Sequence, residues 1–175
     1  MAKTPSGLDH TGTETDTERM RVVAHHAVER RGDETPAADE NDVAVMLRGS
    51  GLRPTRQRLS LGALLFDGED RHVTAEWLHE RARNVGVAVS LATVYNTLHQ
   101  FVGAGLLREV AVEGSKSYFD TNTSDHHHFF LEGEGRLIDI DSPSIEVTGL
   151  PDVPEGHEVT HIDVVVRLRP AGSTR

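Results

Sequence analysis

Cysteine is absent from all 175 residues, and that absence removes several chemistries at once. No disulfide framework, no zinc site of four thiolates and no Cys-Pro haem motif can be built. Any metal site must therefore use His, Asp, Glu or water, donors suited to manganese, iron, zinc or haem iron. Aromatic residues are scarce at 5% against 37% hydrophobic residues, so a core can form but not one built on rings. No apolar run approaches the ~20 residues of a membrane helix. The first twenty residues also lack the apolar stretch of a secretory signal. These absences predict a cytoplasmic protein with no membrane partner, in one domain or two small ones.

An excess of basic charge is missing too. The net charge is −10, which opposes nucleic-acid binding at first sight because phosphate attraction drives most DNA affinity. The acidity is not evenly spread. Residues 1–42 carry 5 basic and 10 acidic side chains, residues 43–120 carry 9 and 8, and residues 121–175 carry 4 and 10. The middle is the least acidic part, and its "RGSGLRPTRQR" holds Arg48, Arg53, Arg56 and Arg58 with no acid between them. A solvated face explains four arginines as well as a DNA contact does.

The patterning divides the chain. Residues 1–41, rich in Thr, Asp, Glu and His, bury too little to offset chain entropy and are expected to form a disordered acidic tail. From Thr55, the spacing of Leu59, Gly62, Ala63 and Phe66 predicts a helix. Thr74 is expected to cap a second helix with Ala75, Leu78, Ala82 and Val85 inward. Ser90 is expected to cap a third with Leu91, Val94, Tyr95, Leu98 and Val102 inward, stopped by Gly103 and Gly105. "LLREVAVEGSKSYFD" then reads as a hairpin around Glu113-Gly114-Ser115. Three helices and a hairpin give the order of a winged helix-turn-helix over residues 42–120, whose third helix enters the major groove. Its outer face would carry Ser90, Ala92, Thr93, Asn96, Thr97 and Gln100, hydroxyls and amides of the kind that read bases or hold phosphates.

A hinge at 121–124 leads to a second unit over 125–170, followed by a short tail at 171–175. "HHHFFLEGEGRLIDID" is strand-like on both sides of Glu132-Gly133-Glu134-Gly135. "SPSIEVTGLPDVPEG", broken by three prolines, has room for at most one helical turn. "HIDVVVRLR" alternates, with Ile162, Val164, Val166 and Leu168 on one face. About 50 residues with three strands are too few to stand alone, so pairing with a second copy is expected. The fold class is thus α+β, an N-terminal winged helix-turn-helix DNA-binding domain followed by a small α/β dimerisation domain.

The triple histidine "DHHHFF" falls at this junction. On a strand, His126 and His128 share one face while Asp125 and His127 share the other. A His-x-His pair on one face is a ready pair of metal ligands, and His72 and Asp120 lie at the same junction. A metal held there would bridge the two units. Three exposed histidines beside a polar linker would look the same in sequence. A rival reading starts from His126-x-His128-x-x-x-Glu132, the half-site spacing of a small cupin-like metal enzyme, but cupins are barrels of many strands and residues 55–102 have a helical period.

In order and spacing, "GLRPTRQR", "HVTAEWLHERA", "SLATVYNTLHQFVGAGLL", "VEGSKSYFD" and "HHHFF" resemble the ferric uptake regulator family. "SLATVYNTL", "HHHFF", the missing thiolate site and the ending "IDVVVRLR" resemble its iron response regulator branch from alphaproteobacteria. The resemblance implies a homodimeric regulator of iron and haem genes, not an enzyme, bound to a double-stranded operator of two half-sites. It implies DNA contacts by Arg53, Arg58, Tyr95 and Asn96, where Asn96 departs from the Arg common in the family and favours adenine. It implies a hinge metal on His72, Asp120, His126, His128 and Asp139, and a second metal site on Asp125, His127, Glu146 and His161. Two of the family's zinc-binding cysteine positions fall at Leu131 and Glu134, which excludes a cysteine-bound structural zinc. The branch further implies activity under iron limitation and release from DNA by haem, with His126, His127 and His128 as the implied haem ligands.

Overall fold

The structure, a computed structural model, describes residues 37–113, 116–140 and 145–172. Residues 1–36, most of the expected disordered tail, lie outside the described residues, as do the tip of the expected hairpin and residues 141–144. Four helices open the described chain: α1 (Glu40–Gly49), α2 (Arg56–Leu65), α3 (Ala75–Asn84) and α4 (Leu91–Gly103). Each begins on a side-chain cap that takes up a free backbone N–H. Asp39 accepts from Asn41 N–H at 2.7 Å, Thr55 from Arg58 N–H at 3.4 Å, Thr74 from Trp77 N–H at 3.2 Å and Ser90 from Thr93 N–H at 3.1 Å. At the end of α4, Gly105 takes φ +72° and Leu106 N–H returns to Phe101 C=O at 2.9 Å. That is the closure a left-handed residue permits. The same backward bond ends α1 (Leu52 to Leu47, 2.8 Å) and α3 (Val87 to Ala82, 2.8 Å).

α1 was not expected from the sequence, which placed three helices and drew the tail to residue 41. Its buried side is only Val43, Ala44 and Leu47, too narrow a stripe to stand out among acidic neighbours. Two inward faces also turn out differently. Val85, expected in the buried stripe of α3, is 58% exposed because it is the residue that caps the helix C-terminus. In α4 the buried stripe is Val94, Thr97, Leu98 and Phe101. It is rotated away from the Leu91, Tyr95 and Val102 of the sequence reading, all three of which are half-buried. Fully buried Val43, Leu47, Leu61, Leu65, Leu78, Val94, Leu98, Phe101 and Phe119 form the helical core.

Two small sheets follow. β1 (His72–Val73), β2 (Arg108–Glu113) and β3 (Lys116–Asp120) form an antiparallel sheet in the order β1-β3-β2. β4 (His127–Leu131), β5 (Arg136–Ile140) and β6 (Val165–Leu168) form the second in the order β5-β4-β6, with β6 parallel to β4. The expected strand over residues 161–169 is therefore shorter, and Ile162 and Val164 precede it. Among the described residues the second unit contains no helix. A minor core of Val110, Val112, Tyr118, Phe130 and Leu137 joins the hairpin to the second sheet. Tyr118 hydroxyl donates to Gly135 C=O at 2.7 Å, and Arg167 stacks over the Phe130 ring and donates to Val112 C=O. One face of the wing is thus spent on docking the second unit.

Candidate metal centre and nucleic-acid interface

The strand registers bring five side chains to one point. β1 and β3 pair His72 with Asp120, and β4 and β5 pair His128 with Asp139. His126 enters two residues before His128 on the same face, as the alternation of a strand requires. One ligand-type atom from each of His72, Asp120, His126, His128 and Asp139 lies within 4.8 Å of all the others. His72 Nε2 is 2.8 Å from Asp139 Oδ1, His126 Nε2 is 2.9 Å from Asp120 Oδ2, and the Nε2 atoms of His126 and His128 are 3.0 Å apart. Asp120 and His128 are fully buried and His126 is 5% exposed.

Neighbours fix the unused atoms of two of these groups, as second-shell contacts do around metals. Asn122 N–H donates to Asp120 Oδ1 at 2.9 Å, leaving Oδ2 for the cluster. His126 Nδ1 lies 2.8 Å from Ser124 C=O, leaving Nε2. Despite their close approach, His72 Nε2, Asp120 Oδ2 and Asp139 Oδ1 are buried without hydrogen-bond geometry to any partner. Each such atom costs about 1–3 kcal/mol if left unpaired. A divalent cation relieves all three together, and a set of three imidazoles and two carboxylates fits manganese, iron or zinc.

The protonation of the site shows the same demand for positive charge. Burial alone would lower the His72 value, but the carboxylates of Asp120 and Asp139 outweigh it and push it up to about 9. Burial would likewise raise Asp120, yet His128, His72 and the Asn122 N–H hold its carboxyl well below the usual range. Asp139 is held down too, by His72 and His126 against the effect of burial. A proton on His72 would supply part of the positive charge that a cation would bring.

Between the start of α2 and the outer face of α4 a shallow cleft of about 330 Å³ is lined by Thr55, Gln57, Arg58, Thr93, Asn96, Thr97 and Gln100. Arg58 Nη1 donates to Arg53 C=O at 2.7 Å and its Nε to Gln100 Oε1 at 3.0 Å, so the guanidinium is pre-oriented beside α4. Asn96 is exposed on that face. Ser90 and Thr93 pair through their hydroxyls at 2.8 Å at the start of α4. Thr97, expected on the outer face, is only 4% exposed, and its hydroxyl donates to Thr93 C=O at 2.9 Å. It contributes to the floor of the cleft rather than its rim. Tyr95 hydroxyl donates to Glu76 at 2.8 Å. Gln57 was not singled out from the sequence, whereas Gln100 was placed on the outer face of α4; the packing of α2 on α4 brings both into the cleft beside Arg58.

A profile of the ferric uptake regulator family matches residues 49–167. The chain belongs to this family. It is 38% identical over 101 residues to the ferric uptake regulation protein of Shigella flexneri, which spans 57% of this chain and 68% of that protein. It is 33% identical over 116 residues to a peroxide-responsive repressor of Staphylococcus epidermidis, 66% of this chain and 77% of the repressor. Among solved structures it is similar to the ferric uptake regulator of Pseudomonas aeruginosa with manganese, at TM-score 0.58 and 26% identity, covering 74% of this chain and 98% of that one. The Vibrio cholerae regulator is similar at TM-score 0.57 and 27% identity, covering 72% and 98%.

This ferric uptake regulator family member therefore has the α+β architecture of a winged-helix DNA-binding domain followed by a second, dimerisation domain, and is a metal-responsive transcription regulator. The cupin-like enzyme reading falls with the fold, since four helices occupy most of residues 40–103 and Glu132 stands apart from the histidines, facing Arg169 at 3.9 Å. No described helix is long and apolar enough to cross a membrane. The second metal set implied by the resemblance does not assemble. His161 Nδ1 lies 3.3 Å from Asp125 and its Nε2 lies 3.0 Å from Asp163, so the two carboxylates occupy opposite sides of one ring. His127 and Glu146 do not join them: among the described residues the hinge five are the one group with metal-site convergence. Arg108 lies against both His161 and Asp163.

Proposed function

We propose that this chain is a cytoplasmic, homodimeric repressor of iron homeostasis whose hinge metal on His72, Asp120, His126, His128 and Asp139 sets the attitude of the DNA-reading domain. The observation that carries it is the position of the cluster. His72 and Asp120 belong to the winged-helix sheet while His126, His128 and Asp139 belong to the hinge end and strands of the second sheet. When bound, the cation supplies charge neutralisation and a cross-link between the two units. Arg53 and Arg58 would hold the backbone, with Ser90 and Thr93 at the helix start, and Tyr95 and Asn96 would reach base edges over the Thr97 floor. Residues 125–170 would serve dimerisation and sensing, and the relatives named for ferric uptake and a structure solved with manganese support this reading.

The finer part of the proposal is release by haem, with the protein active under iron limitation, as in the iron response branch. His126 and His128 are buried in the hinge cluster, so either would have to leave it to become an axial ligand of haem iron. That exchange opens the hinge. His127, on the opposite strand face, has a buried Nδ1 with no hydrogen-bond partner and is a third donor beside them. The deciding experiment measures operator binding by fluorescence anisotropy with manganese and then with haem, for the native chain and His126→Ala/His128→Ala. Manganese-dependent binding lost in the variant supports the hinge metal. A haem Soret shift with DNA release, both absent in the variant, supports the finer reading. Unchanged release by haem in the variant would overturn it.

A further inference from the structure

We propose that Arg108 is a built-in cation that takes the place of a second hinge metal, so that this chain holds one metal ion per protomer and keeps one side of its hinge pinned without metal. Arg108 lies on β2, and its backbone is in register with Asp120, which sits between it and His72. Its side chain leaves the winged-helix sheet and crosses the hinge. Nη1 donates to Ser124 C=O at 2.8 Å and Nη2 to His126 C=O at 3.4 Å, while Nη2 also meets Asp163 Oδ1 and His161 Nε2. The Arg108 side chain is only 13% exposed.

Of the residues that a second metal would need, His161 is thereby committed, and through it Asp125. Asp163 gives its Oδ1 to Arg108 and His161, contacts that hold its carboxyl below the usual range although burial would raise it. His161 Nε2 lies against Arg108 and Asp163, and its Nδ1 lies 3.3 Å from Asp125 Oδ1. A guanidinium keeps its charge throughout the accessible pH range, so it repels a divalent ion at this position under all physiological conditions. Its planar fork suits several oxygen acceptors at once, which a lysine would not match. The hinge is then held on one side by a permanent cation and on the other by an exchangeable one. Metal loss would free only the second.

This inference rests on the hinge-metal reading for the count of one, and the experiment separates the two. The full-length protein is saturated with manganese or zinc, desalted and analysed for bound metal, alongside His126→Ala/His128→Ala, Asp125→Asn/His161→Ala and Arg108→Gln. The expected result is one metal per protomer, unchanged in Asp125→Asn/His161→Ala and lost in His126→Ala/His128→Ala. Two metals, with one lost in Asp125→Asn/His161→Ala, would overturn the role of Arg108 and leave the hinge reading intact. Metal retained by His126→Ala/His128→Ala but lost in Asp125→Asn/His161→Ala would overturn both. In metal-free protein, protease cleavage within residues 121–125 should rise several-fold in Arg108→Gln and in Asp163→Asn. No rise in either variant would remove the pin.

Discussion

His72 is the residue at which a proton and a hinge metal would compete. In metal-free protein its value of about 9, against an ordinary 6.5, means that the folded state binds its proton more tightly than the unfolded chain does. That stability is fully present below the ordinary value and is lost as the pH rises through about 9. Asp120 and Asp139 act in the opposite direction. Held below the ordinary 3.8, they contribute stability that is present above that value and lost as the pH falls into the acid range. Metal-free protein should therefore melt highest between about pH 4 and 6.5 and lose stability on both sides. Saturating manganese should flatten the alkaline side, because His72 is then held as a neutral ligand. Thermal melts across this range, with and without manganese, check the prediction; an alkaline limb that is equally steep in both would contradict it. His72→Ala should remove the alkaline limb of the metal-free protein.

Among the elements, the α1–α2 pair makes the sharpest demand on sequence. A Cβ at Gly62 would lie 2.6 Å from Val43 Cγ1, and Val43 is a fully buried, β-branched side chain with little rotamer freedom. Alanine at a helix interior normally gains about 1 kcal/mol over glycine. Here overpacking against a stiff, fully buried Val43, at about 1–3 kcal/mol, opposes that gain and is expected to exceed it. Gly62→Ala is expected to lower the melting temperature by a few degrees, and Gly62→Ala/Val43→Ala to recover part of it. A melting temperature raised by Gly62→Ala alone would show that the helices separate freely. Gly62 was placed on the inward face from its spacing alone, as were Leu78, Ala82, Val94 and Leu98, since a 3.6-residue period shows on any half-buried helix. α1 was missed because its buried stripe is short. Thr97 was misplaced because its hydroxyl reads as polar in sequence, although it is satisfied by Thr93 C=O inside the helix. Strand alternation put His126 and His128 on one face, and the two-residue β1 that carries His72 beside them could not be seen. Arg108 was invisible as a hinge residue because nothing local distinguishes it from a solvated arginine; only tertiary structure places His161 and Asp163 against it.

At the scale of the whole molecule, the second unit leaves a row of large aliphatic side chains open to solvent. Val147, Leu150, Val153, Val159 and Leu168 are each at least 39% exposed, all in the segment after the hinge site, where the described chain has a single four-residue strand. The second sheet contributes only Phe130, Leu137 and half-buried Val165 to the minor core. A unit this thin cannot bury enough apolar surface to be stable by itself, and exposed aliphatic side chains grouped along one segment mark an association surface. A two-fold dimer through this segment would also present two copies of α4, the geometry needed for an operator of two half-sites. Light scattering on the full-length chain at micromolar concentration should give twice the 19.2 kDa protomer mass. Leu150→Asp/Val159→Asp should shift it toward the monomer while the helical circular dichroism signal of α1 to α4 is retained, since neither residue touches the helical core. Operator binding should weaken with it. It should also fall steeply with salt in the native dimer, because the arginines of residues 43–120 displace phosphate counterions despite the acidic flanks. A monomeric native chain that still binds a two-half-site operator would refute the dimer and with it the route from hinge metal to DNA.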